Sequence, residues 1–344
     1  VRILVVAPYP PRRCGIGTYA RDQVERLRAE GHLVTVLSPP DGDGDRKAPF
    51  LGGRAFLVAA RAGGRFDRIV VHFQPALYYR PRRPVSKVLT SLAFATLGAV
   101  RGRALEILVH EADPPARWRP DYLLLRQAFT LAGVLTFHTR AEWLAVERDY
   151  RLRRRRDRVS FVPHVVAPAG PVVPRNEARA RLGIAPTGGP VLLCAGFLQP
   201  AKGFERAVRA FSTLAGTAGA NGVSSAAEAG TLYVVGSVRD RTPENEAYAA
   251  SLKRLCEATP GTKLVEGFLS DQEFDLWVAA ADRLVLPYRR SWSSGLLARA
   301  HALGTPAIVS ATGGLREQAG ENDVVFDDDE GLVEAMREAI GVAR

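Results

Sequence analysis

Asp282 to Glu317 reads DRLVLPYRRSWSSGLLARAHALGTPAIVSATGGLRE, and its punctuation decides the fold. Leu284 to Pro287 is a short apolar run closed by proline, as a buried strand would be. Ser291-Trp292-Ser293-Ser294-Gly295 follows as a Ser/Gly-rich loop, after which Leu296, Leu297 and Ala300 fall at helical spacing on one face. Thr305-Pro306 after Gly304 forbids continuation of that helix, and Ala307-Ile308-Val309 starts the next strand. Strand, loop, helix and strand in this order predict a βαβ unit of a parallel sheet. The helix opens on the loop, so its unpaired N–H groups and positive dipole end would face any anion placed there. The pattern by itself fits either a diphosphate site or any crossover unit of such a sheet.

Working outward, the same alternation recurs. Val1 to Val6 reads as a buried strand, Gly15-Ile16-Gly17-Thr18-Tyr19 as a glycine loop leading into a helix, and Leu33 to Leu37 as a second strand. Further strands are expected at Ile69–Phe73, Leu105–Val109, Gly133–Phe137 and Val159–Pro163. Pro163 to Pro174, rich in Pro, Val and Ala, reads as a linker, and the alternation resumes at Val191–Ala195, Leu232–Val235 and Lys263–Val265. Ala215 to Gly230 reads as a mobile surface loop. A chain of 344 residues exceeds the usual single core, so two domains are expected, at 1–165 and 166–344.

Charge separates these halves. Residues 1–165 carry 29 Lys/Arg against 15 Asp/Glu, whereas residues 166–344 carry 18 against 21. The basic field, centred on Arg80 to Lys87, Arg101, Arg103 and Arg151 to Arg158, would attract phosphate, an anionic bilayer or nucleic acid. Specific nucleic-acid binding is disfavoured, because the arginines lack interleaved aromatics and no recognition motif accompanies them. Cys14, Cys194 and Cys256 are odd in number, far apart and without ligand spacing, which argues for a reducing, cytoplasmic setting and against a structural metal. No signal peptide or membrane-spanning helix is evident.

Several segments together resemble the retaining family-4 glycosyltransferases of the GT-B fold. In the C-terminal half these are Pro287-Tyr288, the Ser-rich loop, Gly304-Thr305-Pro306 and Gly313-Gly314-x-x-Glu317, with Gly196-Phe197-Leu198-Gln199-Pro200-Ala201-Lys202-Gly203 upstream. In the N-terminal half they are Pro8-Tyr9-Pro10-Pro11, Gly15-Ile16-Gly17-Thr18-Tyr19 and Gly31-His32-x-Val34. The resemblance implies an α/β architecture of two Rossmann-like, doubly wound domains facing a cleft, the first binding an acceptor and the second a nucleotide-sugar donor. It implies that His110, at the end of the Ile107-Leu108-Val109 strand, meets the donor sugar, and that Lys202 meets the diphosphate; these two are the catalytic candidates. Donor binding falls to Gly15, Ile16, Gly17, Gly196, Lys202, Ser237, Phe268, Leu269, Ser291, Ser293, Ser294, Gly295, Leu296 and Arg299. Acceptor binding falls to Thr18, Tyr19, His72 and Gln74. His164 matches the family's hinge motif and is expected to be structural. No cofactor or metal is implied beyond the nucleotide-diphosphate sugar itself.

The sequence also departs from the family. Two glutamates separated by seven residues, one on the sugar and one on the ribose, become Ser291 and Arg299 here, and the usual arginine is Phe197, for which Arg289 or Arg290 could substitute. Serine removes a carboxylate acceptor and arginine offers only donors. Two functions therefore stand: a retaining, metal-independent glycosyltransferase acting on a hydroxyl acceptor, lipid-linked or saccharide, or a non-catalytic nucleotide-sugar or anion-binding protein on the same fold. Val85 to Val100, with Val85, Val88, Leu89, Leu92 and Phe94 between basic flanks, reads either as a core helix packing Ala93, Thr96 and Gly98 or as a peripheral contact with an anionic membrane.

Overall fold

A computed structural model describes the chain except residues 13, 153–156, 186–188, 221–229, 239–240 and 342–344; the side chains of 63 and 215–220 are also left out. Two compact units emerge, Val1–Pro163 and His164–Arg344. The basic run Arg151 to Arg158 lies partly outside the described residues.

The first unit holds a seven-stranded parallel sheet: β1 (Arg2–Val6), β2 (Leu33–Ser38), β3 (Arg46–Lys47), β4 (Arg68–Phe73), β5 (Leu105–Val109), β6 (Val134–Phe137) and β7 (Val159–Phe161). Their spatial order is β3-β2-β1-β4-β5-β6-β7. The second unit repeats the plan with β8 (Val191–Ala195), β9 (Thr231–Gly236), β10 (Thr262–Glu266), β11 (Arg283–Leu286), β12 (Ala307–Ser310) and β13 (Val324–Phe326), ordered β10-β9-β8-β11-β12-β13. Both orders run outward from the first strand in two directions. The chain thus switches direction between β1 and β4 and again between β8 and β11, and a doubly wound sheet opens a crevice at the carboxyl ends of the strands flanking such a point.

Helices on both faces explain the uninterrupted apolar strands. Leu192, Leu193, Val234, Leu284, Val285, Ile308 and Val309 are fully buried in one core, and Ile3, Val5, Val36, Val70 and Leu108 in another. In the first unit Phe56, Phe73, Phe94 and Tyr78 stack beside the sheet, with Phe56 and Phe94 ring centroids 4.3 Å apart.

Three local readings change. Gly15 to Tyr19 is the opening of a helix, Gly15–Ala29, rather than a loop before one, with Cys14 as its N-cap. Ala215 to Ala220 extends the helix Phe204–Ala220, because alanine tolerates helix better than the small-residue composition suggests; 221–229 lie outside the described residues. The Pro84–Arg101 helix divides the apolar set of the 85–100 segment, burying Phe94 and leaving Val85, Leu89 and Leu92 exposed.

Candidate functional site

In the second unit the segments after β8 and β11 meet at the switch point. Pro200–Lys202 forms a single 3₁₀ turn closed by Gly203, whose φ of +59° is a left-handed conformation. A Cβ at Gly203 would run into the Pro287 carbonyl oxygen at the end of β11, so glycine lets the two strand ends approach. Arg289 N–H then donates to Ala201 O at 3.0 Å. This contact sets the ammonium of Lys202 3.7 Å from the centroid of the Tyr288 ring, a cation–π seat. Lys202 enters no ion pair among the described residues, so its charge is available to a ligand.

The Ser-rich loop is braced from three sides. Gly314 N–H donates to Trp292 O at 2.8 Å, and Gly313, at φ +58°, has no room for a Cβ against Ser291 O. Gln318 clamps Ser294 on both backbone groups, accepting from its N–H at 2.9 Å and donating to its carbonyl at 2.7 Å. Ser294 Oγ caps the Gly295–Ala302 helix by accepting from Leu297 N–H at 3.2 Å. His164 Nδ1 lies 3.3 Å from Ser293 Oγ, and its ring stands beside Gly295. The Ser294 amide is therefore taken by Gln318, while those of Ser293, Gly295 and Leu296 have no partner among the described residues. Lys202 after β8 and these amides after β11 thus stand on the two neighbouring strand ends that flank the switch point, a corner whose charge and N–H groups suit an anion.

The remaining donor candidates spread around it. The segments after β8 and β9 that carry Gly196 and Ser237 are tied together, Gly196 N–H donating to Val235 O and Leu198 N–H to Ser237 O, both at 3.0 Å, and Gly267 N–H donates to Gly236 O at 2.9 Å, which places Phe268 and Leu269 after the next strand end. Phe268 is exposed and Leu269 half-buried. Ser291 Oγ donates to Ser293 O at 3.3 Å within the loop. Arg299 is buried and turned toward the Asp271–Ala280 helix, with Nε 3.2 Å from Asp275 Oδ1 and Nη2 3.3 Å from Asp271 Oδ1. Burial pushes the Asp275 carboxyl above its ordinary value, against the hydrogen bond from Ala169 N–H and the nearby Arg299 charge. Arg289 is held by Glu205, whose carboxylate also accepts from Tyr248. Burial raises the Glu205 pKa, but the hydrogen bonds from Tyr248 and Arg289 outweigh it and leave the pKa low.

In the first unit the strand ends gather histidines. His72 is the penultimate residue of β4, His110 and His138 follow β5 and β6, and Tyr19 packs edge-on against all three, at centroid distances of 5.9, 5.6 and 5.2 Å. His72 Nε2 lies 2.9 Å from Gln23 Oε1, and His72 Nδ1 lies 3.0 Å from His110 Nε2. With Gln23 presenting its oxygen, His72 donates from Nε2 and accepts at Nδ1, so His110 donates from Nε2. Burial drives His72 down to about 3, helped by His138, and drives His138 down to about 4. Gln74 donates to Glu111 at 2.9 Å. Gly15, Ile16, Gly17 and Thr18 form the first turn of the helix that carries Tyr19 and Gln23 inward. Sequence reading missed Gln23, His138's place in the cluster, Gln318 and the contact of His164 with the loop. His72 beside His110 was legible only as neighbouring strand ends.

Comparison with known proteins places these features. Residues 189–341 match the family described as Glycosyl transferases group 1. A D-inositol 3-phosphate glycosyltransferase of a Nocardioides species is 32% identical over 149 residues; the match covers 41% of this chain and 31% of that protein, so the chain spans under a third of its length. Among solved structures, sucrose-phosphate synthase from Thermosynechococcus elongatus is similar with a TM-score of 0.72 at 17% identity, covering 99% of this chain and 90% of that one. Anabaena HepE in complex with UDP gives 0.67 at 14% identity, covering 99% and 90%. Trehalose 6-phosphate synthase from Burkholderia multivorans gives 0.69 at 14%, covering 99% and 91%. The fold is GT-B, and the resemblance to GT-B glycosyltransferases holds in the sequence of the second unit as well as in the fold.

Proposed function

We propose that this protein transfers a glycosyl group, with retention, from a nucleotide-diphosphate sugar to a hydroxyl acceptor. The observation that carries the reading is that Lys202 follows β8 and the Gly295–Ala302 helix opens after β11, the two strands that flank the switch point, within the segment matching Glycosyl transferases group 1. The UDP bound to Anabaena HepE and the name of the Nocardioides relative agree with a nucleoside-diphosphate donor and a small hydroxylated acceptor.

In this reaction the acceptor oxygen bonds to the anomeric carbon as the bond from that carbon to the diphosphate breaks. A donor phosphate oxygen takes the acceptor's proton, so no protein base is required. Negative charge grows on the departing diphosphate, and a fixed ammonium with oriented N–H groups stabilises it without reorganising. Lys202 and the Ser293, Gly295 and Leu296 amides take that role. Residues 166–344 then serve the donor, with Gly196, Ser237, Phe268 and Leu269 around the nucleoside. Residues 1–165 supply His110 to the sugar and Thr18, Tyr19, His72 and Gln74 toward the acceptor. A cytoplasmic setting suits the three buried free thiols.

Arg299 favours a second reading. Its guanidinium is spent on Asp271 and Asp275, and Ser291 offers no carboxylate, so a binding protein without turnover is its natural outcome. Incubation with UDP-, GDP- and ADP-sugars, with and without hydroxyl acceptors, separates the two. Release of nucleoside diphosphate supports transfer; binding without release on any donor supports the second reading, and neither binding nor release defeats both.

A further inference from the structure

The first unit carries an apolar face that its own core does not cover. On the Pro84–Arg101 helix Val85, Leu89 and Leu92 are 71%, 57% and 48% exposed, and their i, i+4, i+7 spacing makes one stripe free of charge. The opposite face, with Ala93, Phe94, Leu97 and Gly98, packs inward. Ordinary surface helices show water the reverse pattern. The neighbouring Pro120–Leu131 helix adds Leu123, 57% exposed, and just ahead of it stands Trp118, 84% exposed. Gly98 and Gly102 lie against Leu131, so the two helices run side by side in the same direction. Their N-terminal ends therefore share the edge of the sheet at which β4 and β5 finish, beside His72 and His110.

Cations ring these side chains. Arg80, Arg82 and Arg83 precede the first helix, Lys87 lies in its first turn, and Arg117 adjoins Trp118; the three arginines and Arg117 are exposed, and none of the five enters an ion pair among the described residues. No helix among the described residues is long and apolar enough to cross a membrane.

We infer that this face docks flat on an anionic lipid bilayer, with Val85, Leu89, Leu92, Leu123 and Trp118 in the interfacial layer and the basic groups at the headgroups. An uncharged stripe bordered by unpaired cations matches an apolar layer beneath a negative surface. Docking would bring the strand ends that carry His110 to the bilayer surface, where a lipid-linked hydroxyl would be presented. That last link rests on the glycosyl-transfer reading; the docking itself does not.

Cosedimentation tests it, using vesicles of phosphatidylcholine alone or with 30% phosphatidylglycerol, at low and high salt. Recovery with the anionic vesicles at low salt, lost at high salt, is expected. The triple change Arg80→Gln, Arg82→Gln, Arg83→Gln should weaken partitioning about 10²-fold, and Leu89→Gln with Leu92→Gln should weaken it without altering the circular dichroism spectrum. Brominated lipid should quench wild-type fluorescence and leave Trp118→Phe largely unquenched. Protein that stays in the supernatant throughout, binding unchanged in both variants, or a dimer dissolved by Leu89→Gln with no vesicle recruitment would each overturn the inference. A nucleoside diphosphate that still raises the melting temperature shows that the docking alone has failed. Vesicle binding with no such rise would instead sink the functional reading.

Discussion

Lowering the pH from 7.5 to 5.0 should loosen the first unit, and the histidine cluster fixes by how much. His72 and His138 ionise near 3 and 4 in the fold, below the ordinary histidine value of 6.5. Between these limits the unfolded chain binds protons that the folded one refuses, so stability is complete above pH 6.5 and drains as the pH falls toward 4. At pH 5.0 each histidine costs about 2 kcal/mol, and the two together about 4 kcal/mol. Carboxylates contribute little at that pH, because their ordinary values lie near 4. Amide exchange in β4 and β5, corrected for intrinsic rates, reads the local opening free energy at both pH values. His72→Asn should remove about half of the difference. Opening energies that agree within 1 kcal/mol at the two pH values, or an unchanged difference in His72→Asn, would refute the buried neutral pair and with it the orientation argued for His110.

Lys202→Ala should lower turnover about 10²–10³-fold, the usual loss when one preorganised electrostatic group is removed, with the melting temperature nearly unchanged because the side chain lies at the surface of the corner; activity within twofold of wild type would mean that the leaving group is held elsewhere. Arg299→Glu would set three carboxylates together where Asp271 and Asp275 now share a guanidinium, so urea unfolding should show a loss of about 3–5 kcal/mol, and an equally stable variant would contradict the buried pairing. Gln318→Ala frees both backbone groups of Ser294 and should weaken nucleoside-diphosphate binding by up to about thirtyfold in titration calorimetry, since two hydrogen bonds of roughly 1 kcal/mol each hold that loop; unchanged affinity would mean that the loop needs no brace.

Much of the architecture was legible because strands buried on both faces leave continuous apolar runs, as at Val191–Ala195 and Ile69–Phe73. Arg46–Lys47 left no such trace, being a charged two-residue edge strand. The Ser-rich loop and Lys202 stood out through glycine, proline and spacing, which are local signals. What holds them did not, because the partners are remote: Gln318 is 24 residues from Ser294, His164 is 129 from Ser293, and Glu205 is 84 from Arg289. Gln23 lies on a helix 49 residues from His72, and only the fold brings them together. Arg299 was legible as a departure from two glutamates, but its direction depends on which helix packs beside it.

The central claim is that the β8/β11 corner holds a nucleoside diphosphate, and thermal unfolding with UDP, GDP and ADP tests it most directly. A ligand at 100 times its dissociation constant adds about 2.7 kcal/mol, or roughly 5–10 °C for a unit of this size. At least one diphosphate should produce such a rise in the wild-type protein and a clearly smaller one in Lys202→Ala. No rise with any of the three at millimolar concentration, or an equal rise in the variant, would contradict the account.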